Sequence, residues 1–380
     1  MRPGRAVAVL HVHSGNLFGG VERILETLAG YSPPDAPMTS AFALCFGGRL
    51  QDTLGAAGAV VHELGEVQIR RPDQVWRARR KLRAVLAHNS YDVAVVHSSW
   101  SQAIFGPVLK SSGTPLVRWF HAPDPGPAWL ERWARRANPA LALCNSRYTL
   151  ENARARLADI PLEVHYPLAH WPVVGESPSR AEVRAQVGAS DDTVVIVMTS
   201  RIEPLKGHRL LLDALTRLPG SNWQVWIVGG AQRQEEVAYL AELKAAVASA
   251  SLDDRVRFLG ERTDVSNLMA AADVYCQPNT GPEAFGLSFV EALAAGLPVV
   301  TTRLGAAPEV VGPTCGILIE PGSPDQLAVA LSTLVADRST RLRLGEAGRR
   351  RAADFCDLPA SFSALARSLS VFTHSSALSS

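Results

Sequence analysis

Two glutamates stand eight positions apart around a segment with the pattern of a short helix. Glu283 follows the turn signal Gly281-Pro282, and Glu291 lies within the run Leu287–Ala295, which combines good helix formers with apolar spacing. Eight residues span about 12 Å along a helix axis, so the two carboxylates would frame this helix. The first N–H groups of a helix carry partial positive charge and suit a phosphate. Here those groups belong to Phe285, Gly286 and Leu287.

Two cations follow an apolar run in the second half of the chain. Val194–Thr199 predicts a buried strand, and Arg201, Lys206 and Gly207 come directly after it. An Arg and a Lys fixed at a strand end can offset the charge of a diphosphate and stabilise it as a leaving group. The alternative is a pair of solvated bases. We favour the diphosphate, because this segment and Glu283 should meet at one edge of a parallel sheet.

A third candidate position is His121, at the end of the β-type run Leu116–Phe120. In open α/β sheets ligands bind beyond the carboxyl ends of the strands, which predicts that His121 faces a ligand. A histidine at a strand end is more often structural, but a second strand and turn at 141–146 favours function. The segment His97-Ser98-Ser99-Trp100 ends another strand at the same edge, and we expect it to line an acceptor position.

The first predicted strand, residues 6–13, leads into a glycine-rich loop that ends with Gly19 and Gly20. A strand, a glycine-rich loop and a helix are the usual beginning of a doubly wound α/β domain. The glycines do not form the G-x-G-x-x-G fingerprint, so a dinucleotide site is disfavoured. They form either a plain tight turn or a loop that faces a ligand.

Together these segments resemble the retaining family 4 glycosyltransferases, which have the GT-B fold. The matching motifs are E-x7-E (Glu283 and Glu291), R-x4-K-G (201–207), GGxE (19–22) and a histidine at the position of His121. The resemblance covers nearly the whole chain. One departure is Pro282-Glu283-Ala284, where the family more often has Glu-Gly or Glu-Pro before Phe-Gly.

The resemblance implies a role for each matched residue on a nucleoside diphosphate sugar. Glu291 would bind the ribose hydroxyls, Arg201 and Lys206 the diphosphate, and Glu283 the hydroxyls of the donor sugar. His121 would orient the donor or the acceptor near the reacting carbon. The rest of the donor site would be the loop with Gly19 and Gly20 and the N–H groups of Phe285, Gly286 and Leu287. The implied reaction is a front-side transfer with retention to a hydroxyl of a glycan, a lipid-linked molecule or a small molecule.

The domain organisation follows from length and from the alternation of strands and helices. At 380 residues the chain is too long for one ordinary core. The resemblance implies two Rossmann-like doubly wound α/β domains facing a cleft, with a C-terminal helix that crosses back to the first domain. We expect an acceptor-side domain over 1–170 with a returning helix at about 357–372. A nucleotide-sugar-binding domain should cover 171–356, and a disordered tail 373–380.

Composition and cysteine spacing exclude several classes of protein. With 47% hydrophobic residues, 19% charged residues and a net charge of +2, the chain is globular and no nucleic-acid partner is indicated. The five cysteines are far apart and form no metal or disulfide pattern. No Asp-x-Asp motif is present to carry a metal on the diphosphate, so we expect no metal and no cofactor.

The location that we expect is the cytoplasm, because no apolar run reaches the length of a membrane span. The predicted helix 73–88 is basic on much of its surface. It could rest on an anionic membrane at the inner face as a weak peripheral contact, although a packed helix with a solvated basic face is the alternative we favour.

Two other functions remain open at this stage. One is an α-glucan phosphorylase-like enzyme, which would need a pyridoxal-binding lysine, while Lys206 is already used on the diphosphate. The other is a non-catalytic nucleotide-sugar-binding module, which the intact set of motif residues argues against. As donor we rank a UDP-sugar above a GDP-sugar or an ADP-sugar.

Overall fold

The computed structural model describes residues 5–15, 19–122, 127–168 and 178–373. The chain divides into two compact units. Unit 1 comprises Met1–His170 with Asp357–Ser380, and unit 2 comprises Trp171–Cys356. Each is built around its own parallel sheet, as the alternation of strands and helices predicts.

Unit 1 contains a seven-stranded sheet in the order β3-β2-β1-β4-β5-β6-β7. Its strands are β1 (Val7–His13), β2 (Met38–Leu44), β3 (Val60–Glu63), β4 (Val93–Val96), β5 (Leu116–Phe120), β6 (Leu141–Cys144) and β7 (Leu162–Val164). The helices before residue 170 are α1 (Gly20–Gly30), α2 (Arg49–Ala56), α3 (Pro72–His88), α4 (Ser99–Ser112), α5 (Ala128–Ala134) and α6 (Arg147–Arg154). The central strands are apolar on both faces because helices cover the sheet on each side.

Unit 2 contains a six-stranded sheet in the order β10-β9-β8-β11-β12-β13. Its strands are β8 (Val194–Thr199), β9 (Trp223–Val228), β10 (Val256–Gly260), β11 (Val274–Gln277), β12 (Val299–Thr302) and β13 (Gly316–Ile319). Its helices are α7 (Arg180–Val187), α8 (His208–Leu215), α9 (Gln234–Ser249), α10 (Val265–Ala271), α11 (Leu287–Ala294), α12 (Ala307–Val310), α13 (Pro324–Ala336) and α14 (Arg338–Ala353).

The strand order reverses at the same place in both sheets. In unit 1, β1 lies between β2 and β4; in unit 2, β8 lies between β9 and β11. In doubly wound sheets the ligand crevice opens beyond the carboxyl ends of the strands at this switch point. The candidate site residues therefore should lie in the segments after β1, β4, β5, β8 and β11.

The C-terminal helix α15 (Leu358–Ser370) belongs to unit 1. Its apolar face, with Phe362 and Leu365, joins the core formed by β1 and α1. Of the tail predicted to be disordered, 373–380, all but Thr373 lies outside the described residues. Within the described ranges, no helix is both long enough and apolar enough to cross a membrane.

Candidate active site

The cation Lys206 and the carboxylate Glu283 meet at the carboxyl edge of unit 2. Lys206 ends a short 3-10 helix, Pro204–Lys206, that follows β8, and Glu283 lies in the loop that follows the neighbouring strand β11. The Lys206 Nζ atom is 2.8 Å from Oε2 of Glu283. The side chains are 25% and 16% exposed, so the ion pair is accessible to a ligand.

Backbone contacts between the two loops bring this pair together. The N–H of Thr280 donates to the carbonyl of Leu205 at 3.0 Å. Gly207 adopts a positive φ of 81°, and a Cβ atom there would lie 1.9 Å from the carbonyl oxygen of Pro278. Only glycine allows the two backbones to approach this closely, so the glycine of the R-x4-K-G segment has a packing role.

Amide side chains surround the Glu283 carboxylate from the strand side. The side-chain N–H groups of Asn279 and Gln277 lie 3.2 Å and 3.4 Å from Oε2 of Glu283. The hydroxyl of Tyr275 donates to Oε1 of Gln277 at 2.8 Å, and burial raises the pKa of Tyr275. The sequence reasoning missed Gln277 and Asn279. The signal in the sequence was their spacing: Gln277 and Asn279 are two residues apart at the end of β11, which places both side chains on one side.

Arg201 contacts carboxylates other than Glu283. Its guanidinium lies 2.5 Å from Glu203 and 3.6 Å from Glu236. Glu236 is 2% exposed, and its Oε2 accepts the N–H groups of Gln232 and Arg233 at the start of α9. The two predicted diphosphate ligands thus each have an acidic partner in this structure, and a bound anion would compete with those partners.

A buried histidine holds the loop that carries Arg201. Nδ1 of His208 lies 3.3 Å from the carbonyl of Glu203, and Nε2 lies 3.2 Å from the hydroxyl of Ser200. Burial lowers the pKa of His208 to about 4. The neutral ring can therefore donate from Nδ1 to the carbonyl and accept the hydroxyl at Nε2.

Helix α11 begins at Leu287, and its range agrees with the predicted one to within one residue. Gly286 precedes it with a φ of 89°, where a Cβ would lie 2.3 Å from the ring of Phe289. Phe285 is buried and packs edge-on against Phe355, so its side chain belongs to the core and only its backbone can face a ligand. Glu291 lies on α11 and is partly exposed.

Three histidines at the carboxyl edge of unit 1 form a hydrogen-bonded chain. Nδ1 of His11 lies 3.0 Å from Nε2 of His97, and Nδ1 of His97 lies 2.9 Å from Nε2 of His121. Side chains alternate along a strand, and the register pairs His11 with Val95 and Val96 with Arg118. The three rings therefore share one face of the sheet.

His97 has a different position from the one that the sequence predicted. It is 4% exposed, and both of its ring nitrogens bond to other histidines. No ring nitrogen remains for a ligand, so the expectation of an acceptor-lining segment is wrong for His97 itself. His97 lies behind His121. The sequence reasoning missed His11 altogether, because it lies inside an apolar strand.

The glycine-rich loop is tied to β1 through Glu22. One carboxylate oxygen of Glu22 lies 2.7 Å from Nε2 of His13, and the other accepts the N–H of Gly19 at 2.8 Å. Burial alone would raise the pKa of Glu22, but these two contacts outweigh it and keep the pKa below its ordinary value. Gly19 precedes α1 in an extended conformation, and Gly20 is exposed as the first residue of the helix.

Burial sets the charge of the histidine chain. It lowers the pKa of His11 and of His121 to about 3 and that of His97 well below its ordinary value. The nearby guanidinium of Arg118 lowers the pKa of His121 further. These three histidines are therefore uncharged at neutral pH.

Models of two protein families match the chain, one within each of the two units. The model described as Glycosyltransferase Family 4 matches residues 18–167, and the one described as Glycosyl transferases group 1 matches residues 179–351. The first match includes Gly19, Gly20, His97 and His121 but not His11. The second includes Arg201, Lys206, Glu283 and Glu291.

The chain belongs to the family 4 glycosyltransferases. Among curated relatives of this family 4 protein, a GDP-mannose-dependent monoacylated α-(1-6)-phosphatidylinositol monomannoside mannosyltransferase of Corynebacterium glutamicum is 31% identical over 54% of this chain. A D-inositol 3-phosphate glycosyltransferase of the same species is 34% identical over 43% of this chain. The chain spans about half the length of the curated relatives it matches, 55% of the first and 40% of the second.

Solved structures resemble the family 4 chain over almost its full length. The structure of Anabaena HepE in complex with UDP and glucose superimposes with a TM-score of 0.85 at 25% identity, covering 96% of this chain and 100% of HepE. WaaG, a glycosyltransferase involved in lipopolysaccharide biosynthesis, superimposes with a TM-score of 0.71 at 18% identity, covering 96% of this chain and 99% of WaaG. The predicted GT-B architecture is confirmed.

Proposed function

We propose that this protein transfers a sugar from a nucleoside diphosphate sugar to a hydroxyl acceptor with retention at the anomeric carbon. The observation that carries the proposal is the contact between Lys206 and Glu283 beside Arg201, at the switch point of unit 2. Two accessible cations and a carboxylate at a strand-end edge suit a ligand with a diphosphate and a polyhydroxyl group. Family membership supports the same reaction class.

In this proposal the donor diphosphate exchanges places with carboxylates. Lys206 now contacts Glu283, and Arg201 contacts Glu203. Phosphate oxygens would take over these cations, and the charge-assisted contacts would stabilise the diphosphate as it leaves. Glu283, still held by Asn279 and Gln277, would then be available to accept sugar hydroxyls.

The remaining roles follow from the resemblance and from position. Glu291 grips the ribose hydroxyls, and the N–H groups before and at the start of α11 face the phosphates. His121 orients the donor or the acceptor beside the reacting carbon, with Gly19 and Gly20 in the adjoining loop. Unit 1 serves the acceptor, and unit 2 binds the donor.

The chemistry that we propose requires no covalent nucleophile. The bond from the anomeric carbon to the diphosphate oxygen breaks, and the acceptor oxygen bonds to that carbon on the same face. The proton of the acceptor hydroxyl passes to the departing phosphate. Positive charge grows at the anomeric carbon during this step, so groups that stabilise it only then increase the rate.

We also propose that the reaction needs no metal ion. Arg201, Lys206 and the start of α11 can supply positive charge where a metal would otherwise act. The sequence has no Asp-x-Asp motif to hold such an ion on the diphosphate.

A panel of UDP-, GDP- and ADP-sugars tests donor binding by thermal shift, because a ligand at 100 times its Kd adds about 2.7 kcal/mol to stability. We rank the UDP-sugar first, since HepE has been crystallised with UDP-glucose. A GDP-sugar preference, as the name of the Corynebacterium relative indicates for that protein, would overturn the ranking.

The reaction itself is tested with the donor that binds. NMR of the product should show the donor's anomeric configuration; inversion would contradict the mechanism. Donor hydrolysis without an added acceptor would exclude a purely binding role, and absence of both hydrolysis and transfer would favour that alternative. Absorbance of a bound pyridoxal group would favour the phosphorylase-like alternative.

We further propose a weak contact of α3 with an anionic membrane. Trp76 is 57% exposed, and the guanidinium of Arg80 lies 5.5 Å from its ring centroid, with Lys81 and Arg83 also exposed. Arg79 instead donates to the carbonyl of Ile104 and is not part of this surface. Flotation with anionic and neutral vesicles tests the contact, with the double variant Trp76→Ala and Arg80→Ser. Equal binding of both proteins to anionic vesicles would refute it.

A further inference from the structure

The histidine chain of unit 1 runs from the interior towards a partly exposed end. His11 is fully buried, His97 is almost fully buried, and the residue His121 is partly exposed, although its Nδ1 atom is buried. The planes of the His97 and His121 rings differ by only 15°, which suits a bond in the plane of both rings. His11 lies against Phe42 on its other side, with ring centroids 5.4 Å apart.

Counting ring protons limits the chain to two arrangements. Each neutral ring carries one proton, and each of the two inter-ring bonds uses one. If His97 donates to His121, the three protons all sit on Nδ1 atoms, and His121 has an Nδ1–H group to offer. If His97 donates to His11, all three protons sit on Nε2 atoms, and His121 Nδ1 is a bare acceptor. The tautomers of the three rings are therefore coupled.

The inner end of the chain favours the first arrangement. Nε2 of His11 is buried and has no hydrogen-bond partner among the described residues. In the second arrangement this atom would carry a buried N–H without an acceptor. In the first it is a lone pair, and the N–H without a partner is that of His121 Nδ1. Buried donors without partners are rare in proteins. His11 is 0% exposed, whereas His121 is partly exposed, so only the first arrangement leaves the donor where a ligand could supply the acceptor.

We propose that His97 and His11 are positioning residues that fix His121 as a neutral Nδ1–H donor. Nδ1 of His121 is buried and has no partner among the described residues, and it lies at the partly exposed end of the histidine chain, where a ligand oxygen would complete it. The consequence for catalysis rests on the proposed function. A neutral N–H can orient a hydroxyl beside the anomeric carbon without adding a cation where positive charge develops.

Replacing His97 by Asn or by Gln tests its two hydrogen bonds one at a time. Asn places its amide near the position of Nδ1 and can still donate to His121, whereas Gln places it near Nε2 and reaches only towards His11. We expect His97→Asn to keep kcat within about threefold, and His97→Gln to lower kcat roughly tenfold with little change in the KM of the donor. His165→Asn is the matched control, at a partly buried ring of unit 1 that contacts Ser368 and Glu163.

The deciding readout is the tautomer itself. In full-length protein labelled with 15N at histidine, NMR at pH 7.5 should show Nδ1–H for His11, His97 and His121. It should show a changed His121 tautomer in His97→Gln but not in His97→Asn or His165→Asn. An Nε2–H tautomer of His121 in the unsubstituted protein would overturn the proposal, and so would equal losses of kcat in both His97 variants. Absence of activity with every donor would instead refute the proposed function, because the tautomer is measured without substrate.

Discussion

The two sheets share the strand order around their switch points, but their carboxyl edges differ in electrostatic character. In unit 1 the edge holds three uncharged imidazoles that bond to each other, two of them buried and the third, His121, partly exposed. In unit 2 it holds Arg201, Lys206 and Glu283, which are charged and partly exposed. The shared topology determines where polar groups gather, whereas burial determines whether they carry charge.

This difference suits a division of roles. The edge of unit 2 can exchange one set of charged partners for another, because each cation already contacts a carboxylate near solvent. The histidine chain of unit 1 can orient a neutral group without itself adding a charge. We expect perturbations that add charge to unit 1, or remove it from unit 2, to be the most damaging.

Acidification should have the largest effect, and it acts mainly on unit 1. His11 has a pKa of about 3 in the folded protein and 6.5 as its ordinary value, so the folded chain binds fewer protons between these values. Stability should therefore fall as pH falls from about 6.5 towards 3, by about 1.4 kcal/mol per pH unit for each ring that stays neutral. Urea denaturation at pH 7, 6 and 5 measures this slope.

The variant His11→Asn should flatten that slope, because Asn keeps a donor near Nδ1 but does not titrate. His208→Asn makes the same substitution at a buried histidine of unit 2, whose pKa burial lowers to about 4. Equal stability of the unsubstituted protein at pH 7 and pH 5 would contradict the account of unit 1 as an edge kept neutral by burial.

Loss of either cation in unit 2 should have the next largest effect. Arg201→Ala and Lys206→Ala each remove a charge-assisted contact to the diphosphate, which is worth roughly 1.5–3 kcal/mol, or about 10- to 150-fold in kcat/KM. The fold should survive, because both residues lie on a loop after β8. Steady-state kinetics over a range of donor concentrations measures the loss.

The control for this pair is Arg209→Ala, which removes an exposed cation on α8 that contacts Asp213 and should leave kcat/KM nearly unchanged. Glu203→Gln should strengthen binding of the nucleoside diphosphate, because it removes the acidic partner of Arg201. Near-normal turnover of both alanine variants at saturating donor would refute the diphosphate role.

The two carboxylates should separate binding from turnover, with an effect of roughly tenfold in each case. Glu291→Gln should weaken binding of the free nucleoside diphosphate, because a carboxylate can accept both ribose hydroxyls. Glu283→Gln should preserve that binding, since it releases Lys206 for the phosphate, and should lower kcat. Calorimetry with the nucleoside diphosphate, combined with kinetics, compares the two. The reverse pattern would mean that the donor lies the other way round along α11.

Chelation should have the smallest effect. If the positive charge on the diphosphate comes from Arg201, Lys206 and the start of α11, EDTA should leave kcat within about twofold, a change of under 0.5 kcal/mol in the barrier. The assay uses protein dialysed against EDTA, with and without Mg²⁺ or Mn²⁺. Loss of activity that either ion restores would show that the charge of unit 2 is incomplete without a metal.

Much of the fold could be predicted from the sequence, because the signals are local. The apolar run Val194–Thr199 coincides with β8, and the basic helix predicted over 73–88 is α3, Pro72–His88. Hydrophobic periodicity and strand-end turns depend only on neighbouring residues. The positions of Glu283, Lys206 and His121 at strand-end edges follow from the same patterns.

The sequence by itself determined which residue types stand at the strand ends, and hence which chemistry was available. Only the tertiary structure decided their partners. Lys206 and Glu283 are 77 positions apart, and His11 and His97 are 86 positions apart. These pairs form because β8 lies beside β11 and β1 beside β4 in a defined register. That order is set by the packing of whole sheets and helices, for which no local pattern of residues carries a signal.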